Sequence, residues 1–471
     1  MKLPTTRVGA CAVVAALLAL LALVPSPAAA QDDRFAPFRG AKPTPPPSLA
    51  DMQARENKYT YQVDMSQVAA RNTMAPTAAT WRDECLAHEI EDTSVGWVRD
   101  RTHFCNHAED LMLSVIDNGT GSPGVVWFDW LVYGVGSTGS GSQRTLTIHQ
   151  ELLNVEVDAD FPMSESTPIS MYAACSVQTP KPVKLGACNT ANVVTKTIEG
   201  WQSEPYAAQA LWSQDLSPED QLPTGEGQEN VVMVGFTPTV TLIGPAIAGK
   251  QRQASAASDV PPLIPEQSFN AYARFDSAQY LSTKKGATFR GVVPHLNYDL
   301  SGERVKELAA HIEEACDPDR VNGTYPPYLE GDKFIPGCDS DHLLHRLTSA
   351  KGGENQERYN ANSNAKDRNC NAGTPSTPTP GSKDCDEFPF ASTYEGAAAS
   401  ERPTSEFAGG GKPNQFSIKR IDSTQNQNGG RDLNTWYNQD RILDWASGGS
   451  CPVCADGKWR DGFWVRISSA S

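Results

Sequence analysis

The sequence predicts an α+β protein in two parts, an N-terminal antiparallel β-rich, sandwich-like domain and a small C-terminal α+β domain. Three observations carry this. Val125 to Tyr133 and Arg144 to Val157 are dense in β-formers and flank a Gly/Ser turn at Gly134 to Gly141, which reads as paired strands. Residues 246–267 shift to Ala, Ser, Pro and Gln, the composition of an interdomain linker. Beyond them, Val305, Leu308, Ala309 and Ile312 recur at helical spacing behind Ser301 as N-cap and Glu303 in the first turn.

Residues 1–30 have the pattern of a signal peptide: Lys2 and Arg7, an apolar run from Val8 to Val24, then Ala28, Ala29 and Ala30 before Gln31. A secreted, extracellular protein starting at Gln31 is expected. Residues 31–79, with Pro43-Thr44-Pro45-Pro46-Pro47, read as a disordered stalk. Residues 80–245 form the β-rich domain, with further strand-like runs at Asn192 to Ile198 and Asn230 to Ile243. The second domain is placed at 268–471, entered through strand-like pieces at Ala271 to Phe275 and Ala287 to Val293. Within it, Thr348 to Ser382 is polar and expected as a loop broken by Pro375 to Pro380. Gln415 to Ile421 alternates like a strand, Asn426 to Gly430 reads as a turn, Asp432 to Leu443 as a helix, and Gly462 to Ile467 as a closing strand.

The chain has 11 cysteines, of which Cys11 lies in the leader. The rest suit local disulfides in an oxidising compartment, such as Cys85 with Cys105 and Cys175 with Cys188. Cys451-Pro452-Val453-Cys454 lacks a second pair and is read as a structural disulfide, not a zinc or redox motif. The net charge of −16 argues against sequence-independent clamping of a polyanion through a broad basic face. It leaves room for brief contact with nucleic acid through a metal. No segment after the leader approaches the ~18 apolar residues of a membrane span, so no stable membrane association is expected; a monomer is the expected state.

Asp384, Asp386, Glu387 and Glu395 lie close together around Phe388-Pro389-Phe390. The aromatic residues favour burial and draw the acids in with them, and buried carboxylates need a cation. A divalent metal is the usual one, which points to phosphate-ester hydrolysis. Asp339, Asp341, His342 and His345 form a second acid/His group, but Leu343, Leu344 and Leu347 make a packed helix the better reading there. His311 sits beside the apolar face of its helix and is read as a boundary residue of the core.

The string Asp384-Cys385-Asp386-Glu387-Phe388-Pro389-Phe390-Ala391, with Glu395-Gly396 after it, resembles the signature of the NucA/NucB secreted deoxyribonucleases. The helix Lys306 to Ala315 resembles that family's opening helix. Trp436-Tyr437, Arg441-Ile442-Leu443 and Asp461 to Val465 resemble its closing half, so the likeness covers about Leu300 to Ile467. It implies a compact ββα-metal-like domain that cuts DNA with little sequence specificity using Mg²⁺ or Mn²⁺, a carboxylate replacing the histidine base. Asp386 is then the candidate general base with Glu387 beside it, and Asp384 and Glu395 bind or orient the metal. Phosphate contacts fall to Lys419, Arg420, Arg441 and Asn426, with Arg431 a further candidate. The sequence departs from the family in Glu395-Gly396-Ala397 where Glu-Gly-Gly is common, and in Cys385 where bacillar forms carry arginine. Two rival readings remain: a non-catalytic secreted adhesin or cell-surface binding protein on a degenerate nuclease fold, and a cell-wall hydrolase using paired carboxylates without metal.

Overall fold

The computed structural model describes residues 60–64, 78–90, 93–94, 96–116, 122–136, 145–177, 193–203, 209–210, 229–243, 261, 263–373, 383–401, 413–444 and 461–468. The expected signal peptide, most of the stalk and linker, Cys188 and the Cys451/Cys454 pair lie outside the described residues. The elements run β1 (Thr60–Asp64), α1 (Ala78–Ala87), β2 (Trp97–Asp100), β3 (His103–Ile116), β4 (Pro123–Gly136), β5 (Leu146–Val157), β6 (Pro168–Val177), β7 (Val194–Thr197), α2 (Ile198–Ser203), β8 (Gln209–Ala210), β9 (Glu229–Leu242) and β10 (Glu266–Ser268). They continue through β11 (Ala271–Ala278), β12 (Lys285–Phe289), β13 (Val293–Asp299), α3 (Lys306–Cys316), β14 (Leu344–His345), α4 (Gly353–Gly373), β15 (Lys383–Phe388), β16 (Ser417–Asp422), α5 (Ser423–Gln439) and β17 (Gly462–Ser468).

Two antiparallel sheets form the N-terminal part, one ordered β2-β3-β4-β5-β8 and the other β12-β11-β9-β6-β7, with β10 on β9. The period-two pattern of β4 turns Val126, Phe128, Trp130 and Val132 inward, against Phe236 of β9, Phe275 of β11 and Phe289 of β12. On its other face Leu131 and Tyr133 pack with Trp81 of α1 beside the Cys85–Cys105 disulfide. The sandwich extends further along the chain than composition suggested. Every residue of β11 is buried, and the strand pairs with β9 from Ala271↔Phe236 to Ala278↔Glu229. The boundary expected at Ser268 therefore falls inside a sheet, because β11 and β12 complete the first core.

The C-terminal sheet has the order β1-β13-β17-β14. Its β1 comes from the expected stalk and runs parallel to β13, pairing Thr60↔Val293 to Asp64↔Asn297. Leu308 and Ile312 of α3 and Leu433 and Trp436 of α5 share its core with Phe463 and Val465 of β17. The apolar face of α3 is the one expected, but the helix starts at Lys306. Ser301 N and Oγ donate to the Asp299 carboxylate at 2.8 and 2.6 Å and close a turn instead of capping the helix.

Two further expectations are corrected. The Asn426 to Gly430 stretch lies within α5, whose first turn is capped by Asp422 accepting from Gln425 N at 3.0 Å. A Cβ at Gly429 would collide with Leu308, and Tyr298 Oη donates to Gly429 O at 3.0 Å. That glycine permits close helix packing where local propensity alone favours a turn. The polar stretch expected as a loop, Thr348 to Ser382, contains the helix α4.

His295 of β13 is 3% exposed, tilts against Trp464 at 4.5 Å, and has no hydrogen-bond partner on either ring nitrogen. Burial, then the Arg466 charge, lowers its pKa from 6.5 to about 4. A histidine with a depressed folded pKa contributes stability that is complete above the unfolded value and lost as pH falls through the folded one. Urea midpoints across pH 7 to 4 should therefore fall in the wild type. His295→Phe should remove a part of that fall on the order of 3 kcal/mol.

The two parts meet at a buried charge network. Asp461 accepts from Arg101 Nη1 at 2.9 Å, Arg274 Nη1 at 2.8 Å and Leu443 N at 2.8 Å. Asp276 accepts from Arg274 Nε at 2.9 Å and Arg441 Nε at 3.0 Å. Burial alone would raise the pKa of Asp461, but the Arg101 and Arg274 guanidinium groups outweigh it and hold the carboxyl well below the usual range. Arg441, expected on a helix facing DNA, is thus fully buried just beyond α5 and joined to the sandwich.

Candidate active site

The acidic motif is β15, paired antiparallel with β16 in the register Asp386↔Lys419 and Glu387↔Ile418. Phe388 and Phe390 are buried edge to face at 5.5 Å, holding this strand against the core as the wedge pattern implied. Asp386 Oδ2 lies 2.6 Å from His311 Nδ1, and His311 Nε2 lies 2.9 Å from Ser417 Oγ. A buried chain of Ser417, His311 and Asp386 therefore crosses from β16 through α3 to β15. Asp386 Oδ1 makes no hydrogen bond with another described residue.

Glu387 is 5% exposed, and neither carboxylate oxygen has a hydrogen-bond partner of good geometry. Burial pushes its pKa well up; the Lys366 charge pulls it down, and Asp386 adds to the rise. The Lys366 charge and the Ala391 backbone N–H only partly offset that burial. It stands on the wall of a cleft of about 520 Å³ shared by Asp386, Lys366, Arg346, Asn426 and Tyr437.

The helix α4 frames this cleft despite having no apolar stripe. Asn362, fully buried, donates to Ala391 O and Thr393 O at 3.0 Å each and accepts from Ala398 N at 3.0 Å. The Cys370–Cys385 disulfide ties the helix directly to β15. Asn362→Ala should lower unfolding stability by about 3 kcal/mol, because it strands buried backbone groups of the loop after the motif; a urea titration checks this.

With this geometry in place, residues 337–444 match the family model for Deoxyribonuclease NucA/NucB. The C-terminal region carries a NucA/NucB segment. It contains α4, β15, β16 and α5 but not α3, so His311 contributes from outside the matched range. No curated protein and no solved structure gave a significant match.

Within the NucA/NucB segment the expected site residues divide. Asp386, Glu387 and Asn426 meet at the cleft. Glu395 does not: its Oε1 accepts from His345 Nδ1 at 2.7 Å and its Oε2 from His345 N at 2.9 Å, so both oxygens are engaged. Asp384 sits opposite Ile421 near the start of β15 and does not line the cleft. Lys419 pairs with Glu314, and neither it nor Arg420 lines the cleft. The Asp339/His342 group is exposed, with His342 Nδ1 2.9 Å from Asp339, and the stretch forms turns and the two-residue β14 instead of a packed helix. Among the described residues no three acid, His or Cys side chains gather as a metal cluster.

A divalent cation still fits at Glu387, since Mg²⁺ commonly takes one or two carboxylates and completes its shell with water and substrate phosphate. The buried oxygens of Glu387 would supply such a donor. The residues not foreseen are His311, Lys366 and Arg346. His311 could have been suspected as a polar residue on a buried helix face. Lys366 and Arg346 carry no local signal, because their place in the cleft depends on tertiary packing. Among the described residues the disulfides Cys85–Cys105, Cys316–Cys338 and Cys370–Cys385 suit an oxidising compartment. No described helix is long and apolar enough to cross a membrane.

Proposed function

We propose that the chain is a secreted, metal-dependent endonuclease that hydrolyses DNA phosphodiester bonds with little sequence specificity. The observation that carries this reading is the buried Glu387 carboxylate, which forms no ion pair, on a cleft beside Asp386, inside a NucA/NucB segment. Asp386 takes the proton of the attacking water through its uncommitted Oδ1, while His311 fixes its orientation through Oδ2. Glu387 would hold Mg²⁺ or Mn²⁺, which when bound would supply charge stabilisation to the phosphate and leaving oxygen. The order β15, β16, α5 is strand-strand-helix, with the acid on the first strand and Asn426 reaching the cleft from the helix. That order supports the ββα-metal-like reading. Low specificity follows from a cleft whose polar wall of Arg346, Lys366 and Asn426 suits the phosphate backbone, which every sequence shares. Export rests on the leader pattern and the disulfides. A degenerate binding module would have no use for an unpaired buried carboxylate, which favours the catalytic reading over the adhesin.

End-labelled duplex of mixed sequence should be cut at many positions with Mg²⁺ or Mn²⁺ and at none with EDTA. A single preferred site would overturn the low specificity, and cutting in EDTA the metal dependence.

A further inference from the structure

Arg346 follows β14 and its side chain lines the cleft, yet the residue is only 5% exposed. Its Nη1 donates to Ile442 O at 2.8 Å, and no carboxylate lies within ion-pair distance among the described residues. Buried guanidinium groups are ordinarily paired with an anion. The contrast within this molecule is direct: Arg101, Arg274 and Arg441, equally buried, each reach an aspartate.

What holds Arg346 is aromatic. Its guanidinium lies 4.6 Å from the ring centre of Tyr437 and 5.0 Å from that of Tyr280. Tyr437 belongs to α5, but Tyr280 lies in the β11–β12 hairpin of the N-terminal sandwich. That hairpin tip is gripped by the C-terminal part at three points. Asp444 N donates to Tyr280 Oη at 2.8 Å, Ser282 N donates to Asn438 Oδ1 at 2.7 Å, and Arg441 Nη1 donates to Thr283 Oγ1 at 2.8 Å. A guanidinium set over two rings, lining a cleft and in no ion pair among the described residues, is prepared for an incoming phosphate.

We propose that Arg346 binds a DNA phosphate in the cleft and that the N-terminal sandwich, through Tyr280, is the positioning element that holds it there. This deepens the nuclease reading and rests on it. The sandwich is then a working part of the substrate site, not a detachable module.

The test uses the full chain in an Asp386→Asn background with Mg²⁺, reading fluorescence anisotropy of a labelled duplex against salt. Arg346→Gln, which keeps a donor for Ile442 O, should weaken binding by about tenfold or more and reduce the salt slope by about one. Arg346→Lys should keep the slope while binding less tightly, since charge survives without the planar stack. Tyr280→Ala should weaken binding, and Tyr280→Phe should restore it, because the ring rather than the hydroxyl carries the stack. Circular dichroism checks that each variant folds; if Arg346→Gln does not, the Lys variant and the Tyr280 pair decide. Unchanged affinity and slope in Arg346→Gln would overturn the phosphate assignment, and unchanged binding in Tyr280→Ala would overturn the role of the sandwich. A parent that binds duplex through Arg346 while the wild type cuts nothing with any metal would sink the nuclease reading alone.

Discussion

Glu387→Gln is expected to reduce DNA cleavage by at least about 100-fold without lowering the melting temperature. The two halves of this result have one cause. Glu387 has both oxygens buried outside any ion pair, and burial drives its carboxyl toward the neutral form in the absence of a cation. Glutamine has nearly the shape of that neutral acid, so the fold loses little. The exchange does remove the anionic donor for a divalent ion at the cleft. Added Mn²⁺ should accordingly raise the melting temperature of the wild type and leave that of Glu387→Gln unchanged, because only a state that binds ligand is stabilised by it. A variant that loses fold and activity together would mark Glu387 as structural.

Asp461→Asn should produce the largest loss of stability of any single exchange considered. Its carboxylate is the shared counter-charge of Arg101 from the loop before β3 and Arg274 of β11, and all three groups are buried. Removing one member of such a cluster leaves guanidinium groups uncompensated in a dry site, which costs about 3–5 kcal/mol. On the scale of domains of this size that is a fall of about 10 °C in melting temperature. The cost should appear in both parts of the molecule at once. A fragment beginning at Ser268 should fail to fold for a related reason: it carries β11 and β12 without β9, their partner in the sheet, and Arg274 without Arg101. An intact, cooperative Asp461→Asn protein with wild-type stability would show that the network does not hold the two parts together.

Much of this architecture can be read locally and the rest cannot, for physical reasons that differ by residue. The alternation of Val126, Phe128, Trp130 and Val132 identifies β4 because a strand has one buried face, and Leu308 with Ile312 identifies α3 for the equivalent helical reason. Gly429 reads as a turn because the cause of its place in α5 is Leu308, a residue far away in sequence. The helix α4 has no apolar periodicity to detect, since a buried asparagine and a disulfide anchor it. The acidic motif is legible as a site, yet the division of labour within it is not. Whether a carboxylate is free like that of Glu387 or engaged like that of Glu395 depends on His345, fifty positions away. Arg441 is the clearest case: its partner Asp276 is 165 positions distant, and nothing near it in sequence separates a lock from a DNA contact.

The most direct measurement is conversion of supercoiled plasmid by the purified, oxidised full-length protein with Mn²⁺ or with EDTA, alongside Asp386→Asn and Glu387→Gln. Nicking by the wild type in Mn²⁺, absent in EDTA and lost in both folded variants, is expected. Intact plasmid under every metal condition, or nicking that survives both substitutions, would rule out a metal-dependent nuclease working through these two carboxylates.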